Sequence, residues 1–197
     1  LDIGYSALAV ALLATIISFA SFIYDTRTQN ESIYNFSKTA LYGQTFFLTA
    51  SVIILLYYFL IRDFNVEYVA LYSDTSLPLA YTIGAIWGGA SGSLLLWAWI
   101  ASLFMTGIVL REQKDRITGY ALAVLLSVNI FLLTLVIFIN NPFHRLAFTP
   151  PDGNGLNPLL IDPGMLIHPP TLFIGYAGLT IPFAFALAGL LAKNENW

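Results

Sequence analysis

The stretch ITGYALAVLLSVNIFLLTLVIFI, residues Ile117–Ile139, runs for 23 residues without an acid, a base or a histidine. Its apolar side chains show neither the period-two alternation of a half-buried strand nor the one-sided 3.6-residue repeat of a soluble helix. About 20 such residues in a helix cross a hydrocarbon core of ~30 Å, and lipid leaves a helix as the economical way to satisfy the backbone. Four further blocks have the same character: Ile3–Tyr24, Thr39–Ile61, Ser93–Leu110 and Pro169–Ala192. The sequence predicts an all-α integral membrane protein with about five transmembrane helices, forming a single polytopic domain over residues 1–197.

Composition agrees. Hydrophobic residues make up 58% of the chain and charged residues 10%, against roughly a quarter charged in soluble domains, and the mean hydropathy is +0.76. With no cysteine, the chain supplies no disulfide, thiolate ligand or cysteine nucleophile, so any thiol chemistry belongs to a partner. The net charge of −3 comes without a basic run, and nucleic acid is not expected as a partner. The first block lacks a basic leader and a small-residue cleavage site, and is expected to be a retained span.

Basic residues between the blocks set the orientation. With the N-terminus outside, Arg27, Lys38, Arg111, Lys114, Arg116 and Lys193 fall on the inner side and only Arg62 and Arg145 on the outer side. The expected topology is therefore N-terminus out and C-terminus in, with the Arg111–Arg116 turn as the firmest marker. Two long connections, residues 62–92 and 140–168, then face outward. Within the first, Leu77–Ile86 is too short to cross and is expected to lie as an interfacial helix, with Tyr68, Tyr72, Tyr81 and Trp87 at the membrane surface.

Gly84, Gly88 and Gly92 would share one helix face, which suits close helix packing. Alternatively, Gly88-Gly89 and Gly92-Ser93 bend the backbone at the entry to the third span and let a flat ligand or another helix approach. Trp97 and Trp99 follow, as an aromatic belt or as a wall against a macrocycle. The second connection is punctuated by turn-forming pairs and is expected to be a rigid lid. Asp162-Pro163-Gly164 should initiate the short segment that delivers His168 to the fifth span, with Pro169 and Pro170 in that span's first turn. His144, beside Arg145, reads as solvated or hydrogen-bonded. His168 is placed either to ligate a flat apolar group such as haem or to play a structural part. No nucleophile elbow, HExxH sequence or phosphate-binding glycine loop is present, and no span carries an acid or base of the kind that ion pumps use.

Several strings together resemble the N-terminal part of CcmF-type cytochrome c haem lyases, which include NrfE-like proteins. They are Phe64–Leu71 with Ser76-Leu77-Pro78, Trp87-Gly88-Gly89 with Gly92–Trp97, Asn141-Pro142-Phe143, Asp152-Gly153, Gly155–Leu160, Asp162-Pro163-Gly164, His168-Pro169-Pro170, Phe173–Tyr176 and Pro182–Ala186. The resemblance implies part of an enzyme of cytochrome c biogenesis in the plasma membrane, with an extracytoplasmic active face. Haem b would be its substrate, positioned for thioether attachment to apocytochrome c. It makes His168 a haem-iron ligand, with Trp87, Gly88, Gly89, Gly92, Trp97, Asn157, Pro169, Pro170 and Tyr176 as the supporting wall. Implied partners are a haem chaperone, apocytochrome c with its CxxCH motif and a thiol-reducing protein. Ala90-Ser91 and Tyr72 stand where members commonly have His-Glu and a histidine. The family's tryptophan-rich WWD signature, its second external histidine and the histidines that hold a permanent haem b all lie downstream of this region. A completing WWD-containing chain or region is therefore required, and no catalytic residue is assigned to this chain alone. The alternative is a non-catalytic membrane scaffold or transporter subunit that docks a partner through its outward loops.

Overall fold

The computed structural model describes residues 2–111 and 114–192. The expectations resting on Glu112, Gln113 and Lys193 lie outside the described residues. The helices are α1 (Ile3–Thr28), α2 (Glu31–Ile61), α3 (Glu67–Tyr72), α4 (Leu79–Gly84), α5 (Ala90–Arg111), α6 (Arg116–Phe138) and α7 (Pro163–Leu191). Single 3-10 turns cover Ala85–Trp87 and Pro158–Leu160. Five helices, α1, α2, α5, α6 and α7, are long and apolar enough to cross a membrane, so the fold class agrees with the sequence.

Short polar side chains start most of the long helices by accepting from otherwise unpaired amides of the first turn. Asp2 Oδ1 accepts from Gly4 N at 2.7 Å, Asn30 Oδ1 from Ser32 N at 2.9 Å, Asp115 Oδ1 from Thr118 N at 2.7 Å and Asp162 Oδ1 from Gly164 N at 2.7 Å. Gln29 and Arg62 end α1 and α2 in the left-handed conformation, at φ 52° and 55°. These caps act outside the apolar blocks, so α1 and α2 run beyond them and leave only Gln29-Asn30 between. At 1.5 Å per residue the 31 residues of α2 reach about 46 Å, well past a ~30 Å core.

α1 packs against α2 and α6, α5 closes the other side against the same two helices, and α7 lies along α5 and α6. One end of this bundle carries the tight turns and the other the long connections. At the turn end Lys114 Nζ stands 3.4 Å from Asp25 Oδ1, an acid only 1% exposed, and Arg116 Nε donates to Thr26 O at 3.1 Å.

At the loop end both long connections fold onto the bundle. Phe64, Val66, Tyr68, Leu77, Ile86, Phe143 and Leu156 are buried in one core with Leu48, Leu55, Leu95 and Leu132. The connections also bond to each other. Glu67 N donates to His144 O at 2.9 Å, Leu146 N to Asn65 O at 2.8 Å and Asn154 N to Ala70 O at 2.7 Å. Asp152 accepts from Thr75 N at 2.9 Å and Thr75 Oγ1 at 2.7 Å. Those bonds draw the Asp152 carboxyl below the usual carboxylate range.

Three expectations change. Tyr68 is 5% exposed and belongs to the core, because its ring packs on Phe59 and its hydroxyl is used at the glycine bend. The glycines 84, 88 and 92 do not share one helix, since α4 ends at Gly84 and the chain turns at Gly88-Gly89 before α5. The fifth long helix begins at Pro163, where Asp162 caps it, so Pro169 and Pro170 lie inside α7 and not in its first turn. The segment expected at the interface forms the short α4 with its following 3-10 turn, and Leu79 and Ile83 are exposed on it.

Candidate functional site

A proline in a helix removes the amide that would bond the carbonyl four residues earlier. Pro169 therefore frees the Met165 carbonyl, one turn before His168. Trp87 Nε1 donates to that carbonyl at 2.8 Å. The indole, set by the turn after α4, replaces the missing helical bond and ties the Trp87-Gly88-Gly89 bend to the start of α7. Beside it, a Cβ on Gly88 would stand 3.2 Å from Leu156 and 3.4 Å from Met165, and one on Gly84 2.7 Å from Leu166. The bend and the proline-bearing turn pack almost without clearance.

Tyr68 holds the other side of the bend. Its hydroxyl accepts from Gly89 N at 3.0 Å and donates toward Ile86 O at 3.0 Å. Burial pushes the Tyr68 phenol far above its ordinary value, so the ring stays neutral and can donate. A Cβ on Gly89 would enter the Tyr72 ring, and one on Gly92 would strike the Ile86 carbonyl. These two glycines thus accommodate protein groups. Ser93 Oγ closes the bend by donating to Trp87 O at 3.0 Å.

His168 is exposed on α7, and its side chain has no hydrogen-bond partner among the described residues. Leu172, Gly175, Leu179 and Pro182 follow it at helical spacing and are exposed as well. Flanking this ridge, the Trp97 ring lies 5.6 Å from Tyr176 and 6.1 Å from Phe173, centre to centre. With Leu179, Thr180 and Phe183, Trp97 and Tyr176 line an open apolar groove of about 350 Å³. Asn157 sits apart as the cap of the Pro158–Leu160 turn, accepting from Leu159 N at 3.0 Å. Trp87, Gly88, Pro169 and Pro170 thus meet at the His168 turn, Trp97 and Tyr176 form a wall farther along α7, and Gly89, Gly92 and Asn157 shape the backbone around them.

His144 has a partner, as its sequence setting suggested: its Nδ1 is 2.9 Å from Glu67 Oε2. Next to it Arg145 reaches Asp2 Oδ2 at 2.8 Å and Asp63 Oδ2 at 3.4 Å, and the bond to Asp2 holds the guanidinium above its ordinary value. This clamp was invisible in sequence because Asp2 and Arg145 lie 143 positions apart in the chain. Met165 was missed too, though a proline at position 169 was the signal that its carbonyl needed a donor. No group of three or more histidines, acids or cysteines capable of holding a metal occurs among the described residues.

The profile of the family described as cytochrome C assembly protein matches residues 87–196. The chain is 38% identical to the cytochrome c-type biogenesis protein CcmF of Pseudomonas aeruginosa over 193 residues, covering 96% of this chain and 29% of the relative. It is 40% identical to CcmF of Escherichia coli, over 74% of this chain and 23% of that protein. With NrfE of Haemophilus influenzae it shares 33% identity, over 85% and 27%. A solved structure called cytochrome c heme lyase CcmF superposes with a TM-score of 0.83 at 20% identity, covering 97% of this chain and 30% of that one. That likeness shows a shared fold. The chain spans less than a third of the length of these proteins.

Proposed function

The chain belongs to the cytochrome c assembly protein family, and from that premise we propose that it is the N-terminal subunit or segment of a haem lyase. On this reading it presents haem b, the substrate, for thioether attachment to the CxxCH cysteines of apocytochrome c. The loop end faces the extracytoplasmic side of the plasma membrane. A second chain or region, carrying the WWD signature and the opposing histidine, covers the exposed face of α7. A haem chaperone and a thiol reductant are the other partners, and any permanent haem b is held by residues outside this chain.

The observation that carries the reading is the Trp87 bond to the Met165 carbonyl. It couples the family's two motif segments and fixes the backbone turn from which an exposed, uncommitted imidazole projects. A fixed imidazole can hold haem iron axially, and the aromatic wall along α7 suits the macrocycle's faces. The chain's own residues then act by orientation: they set the iron axis so that the vinyl groups meet the partner's thiols, with water excluded. Haem content and holocytochrome c yield of the complete assembly carrying His168→Ala test this. Both are expected to fall. Unchanged values would remove the ligand assignment and leave the scaffold reading.

A further inference from the structure

The buried stripes of α1, α2, α5 and α6 each carry a polar residue between apolar ones near one level. In α2 the stripe holds Gln44 between Leu41 and Leu48, in α5 Ser102 between Ile100 and Met105, and in α6 Asn129 between Leu126 and Leu132, while α1 supplies Thr15 and, one turn on, Ser18, whose hydroxyl donates to Ser37 O at 3.0 Å. Thr15, Gln44, Ser102 and Asn129 are all 0% exposed. The apolar residues on either side of this level belong to different cores. Ala11, Leu48, Ala98 and Leu132 join the loop-end cluster, whereas Phe22, Leu41, Met105 and Leu126 join the turn-end cluster. Thr15, Gln44 and Asn129 each stand thirteen residues from the turn-end terminus of their helix, at Thr28, Glu31 and Arg116. That is a depth of roughly 20 Å, inside the hydrocarbon thickness.

The hydroxyl hydrogens here are already used: Thr15 Oγ1 donates to Ala11 O at 2.7 Å and Ser102 Oγ to Trp99 O at 2.7 Å. The amides are not, since both the oxygen and the nitrogen of Gln44 and of Asn129 lack a hydrogen-bond partner among the described residues. Buried amides at this depth require partners, because neither lipid nor an apolar core supplies them. α2 and α6 face each other across the bundle, with α1 and α5 between them. The level holds no charged side chain. A cation would meet amide donors without a carboxylate, and an anion would find no base. The chemistry calls for a small neutral molecule that both donates and accepts.

We propose that this layer is an internal water site, in which one or a few water molecules bridge the Gln44 and Asn129 amides. The unused lone pairs of Thr15 and Ser102 accept further bonds, which meets the two to four polar partners that a buried water needs. The apolar clusters above and below confine the water to one plane. The site also fixes helix register, because sliding a helix by one turn would set an amide against leucine.

Pulsed hydroxyl-radical footprinting of the full-length protein or complex in lipid nanodiscs tests the proposal. The chain has two methionines, Met105 and Met165. Met105 is one turn from Ser102 and 1% exposed, so radicals reach it only from water held in the layer. Oxidation of Met105 is expected in the wild type and is expected to be lost in Gln44→Leu/Asn129→Leu. An unlabelled Met105 in the wild type overturns the proposal. Labelling that persists in the double variant overturns it as well, because the water would then not depend on the amides. The wild-type measurement decides even if the variant fails to fold.

Discussion

α6 and α7 are both long apolar helices of one sheath, yet 56% of the most apolar window of α6 is buried inside this chain and only 22% of that of α7. α6 touches α1, α5 and α7, whereas α7 leans on α5 and α6 and turns Leu172, Leu179, Phe183 and Leu190 outward. Both helices are apolar enough to cross a membrane, so hydrophobicity alone does not account for the difference in burial. Small residues separate them. Gly119 of α6 is closed by Thr26, with a Cβ there standing 2.9 Å from it, while a Cβ on Gly175 or Gly178 of α7 would meet nothing within 4 Å among the described residues. A packed helix–helix contact fills the space above its glycines, so among the described residues the face of α7 that carries Gly175 and Gly178 is open.

The largest effect should come from placing a methyl group where the bend is closed and where α7 is open. Gly92→Ala drives a Cβ into the Ile86 carbonyl and against the Tyr68 hydroxyl, and the carbonyl cannot yield without moving backbone. A loss of about 3 kcal/mol or more is expected, seen as low accumulation and a lowered melting temperature in detergent. Gly175→Ala should change the melting temperature by no more than about 0.5 kcal/mol allows. Equal effects from the two would break the contrast.

A middle-sized effect belongs to the joint between bend and helix. Trp87→Phe keeps the ring and removes the donor to the Met165 carbonyl, leaving a half-buried acceptor unpaired at a cost of about 1–3 kcal/mol. Amide exchange is expected to rise in the first turns of α7 and to stay unchanged in α6. Uniform protection across both helices would show that the indole bond does not position the His168 turn.

The smallest effect is a pH response of the loop clasp. The Asp152 carboxyl lies below its ordinary value because Thr75 and Gly153 donate to it. Its folded value is depressed, so its contribution is complete above the ordinary carboxylate range and is lost as pH falls through the folded value. Exchange at the Thr75 amide should therefore quicken in acid, below about pH 4. In Asp152→Asn that acid-dependent step should vanish. An identical acid profile in both proteins would remove Asp152 as the clasp's titrating group.

Much of this was legible in the residues themselves. Five uncharged blocks gave five membrane-length helices, because lipid admits little else for such runs, and the Asp162-Pro163-Gly164 signal did start a helix. Boundaries were less legible. The charged residues 25–38 looked like a connection but fold as helix almost throughout, since the Asn30 cap and the left-handed Gln29 need only two residues to turn the chain. Pro169 and Pro170 looked like a first turn because the indole that stands in for a missing amide lies 78 positions away in the chain.

The sequence by itself determined the number of membrane-length helices, the solvent they require and the ordered motifs that mark the family, since each follows from local composition and spacing. Tertiary structure alone decided that Trp87 holds the Met165 carbonyl, that Arg145 clamps Asp2, that Gln44 and Asn129 share one buried level, and that α7 keeps an open face beside His168. Those outcomes depend on which groups meet across the bundle. A one-dimensional pattern carries no record of distance between residues that far apart.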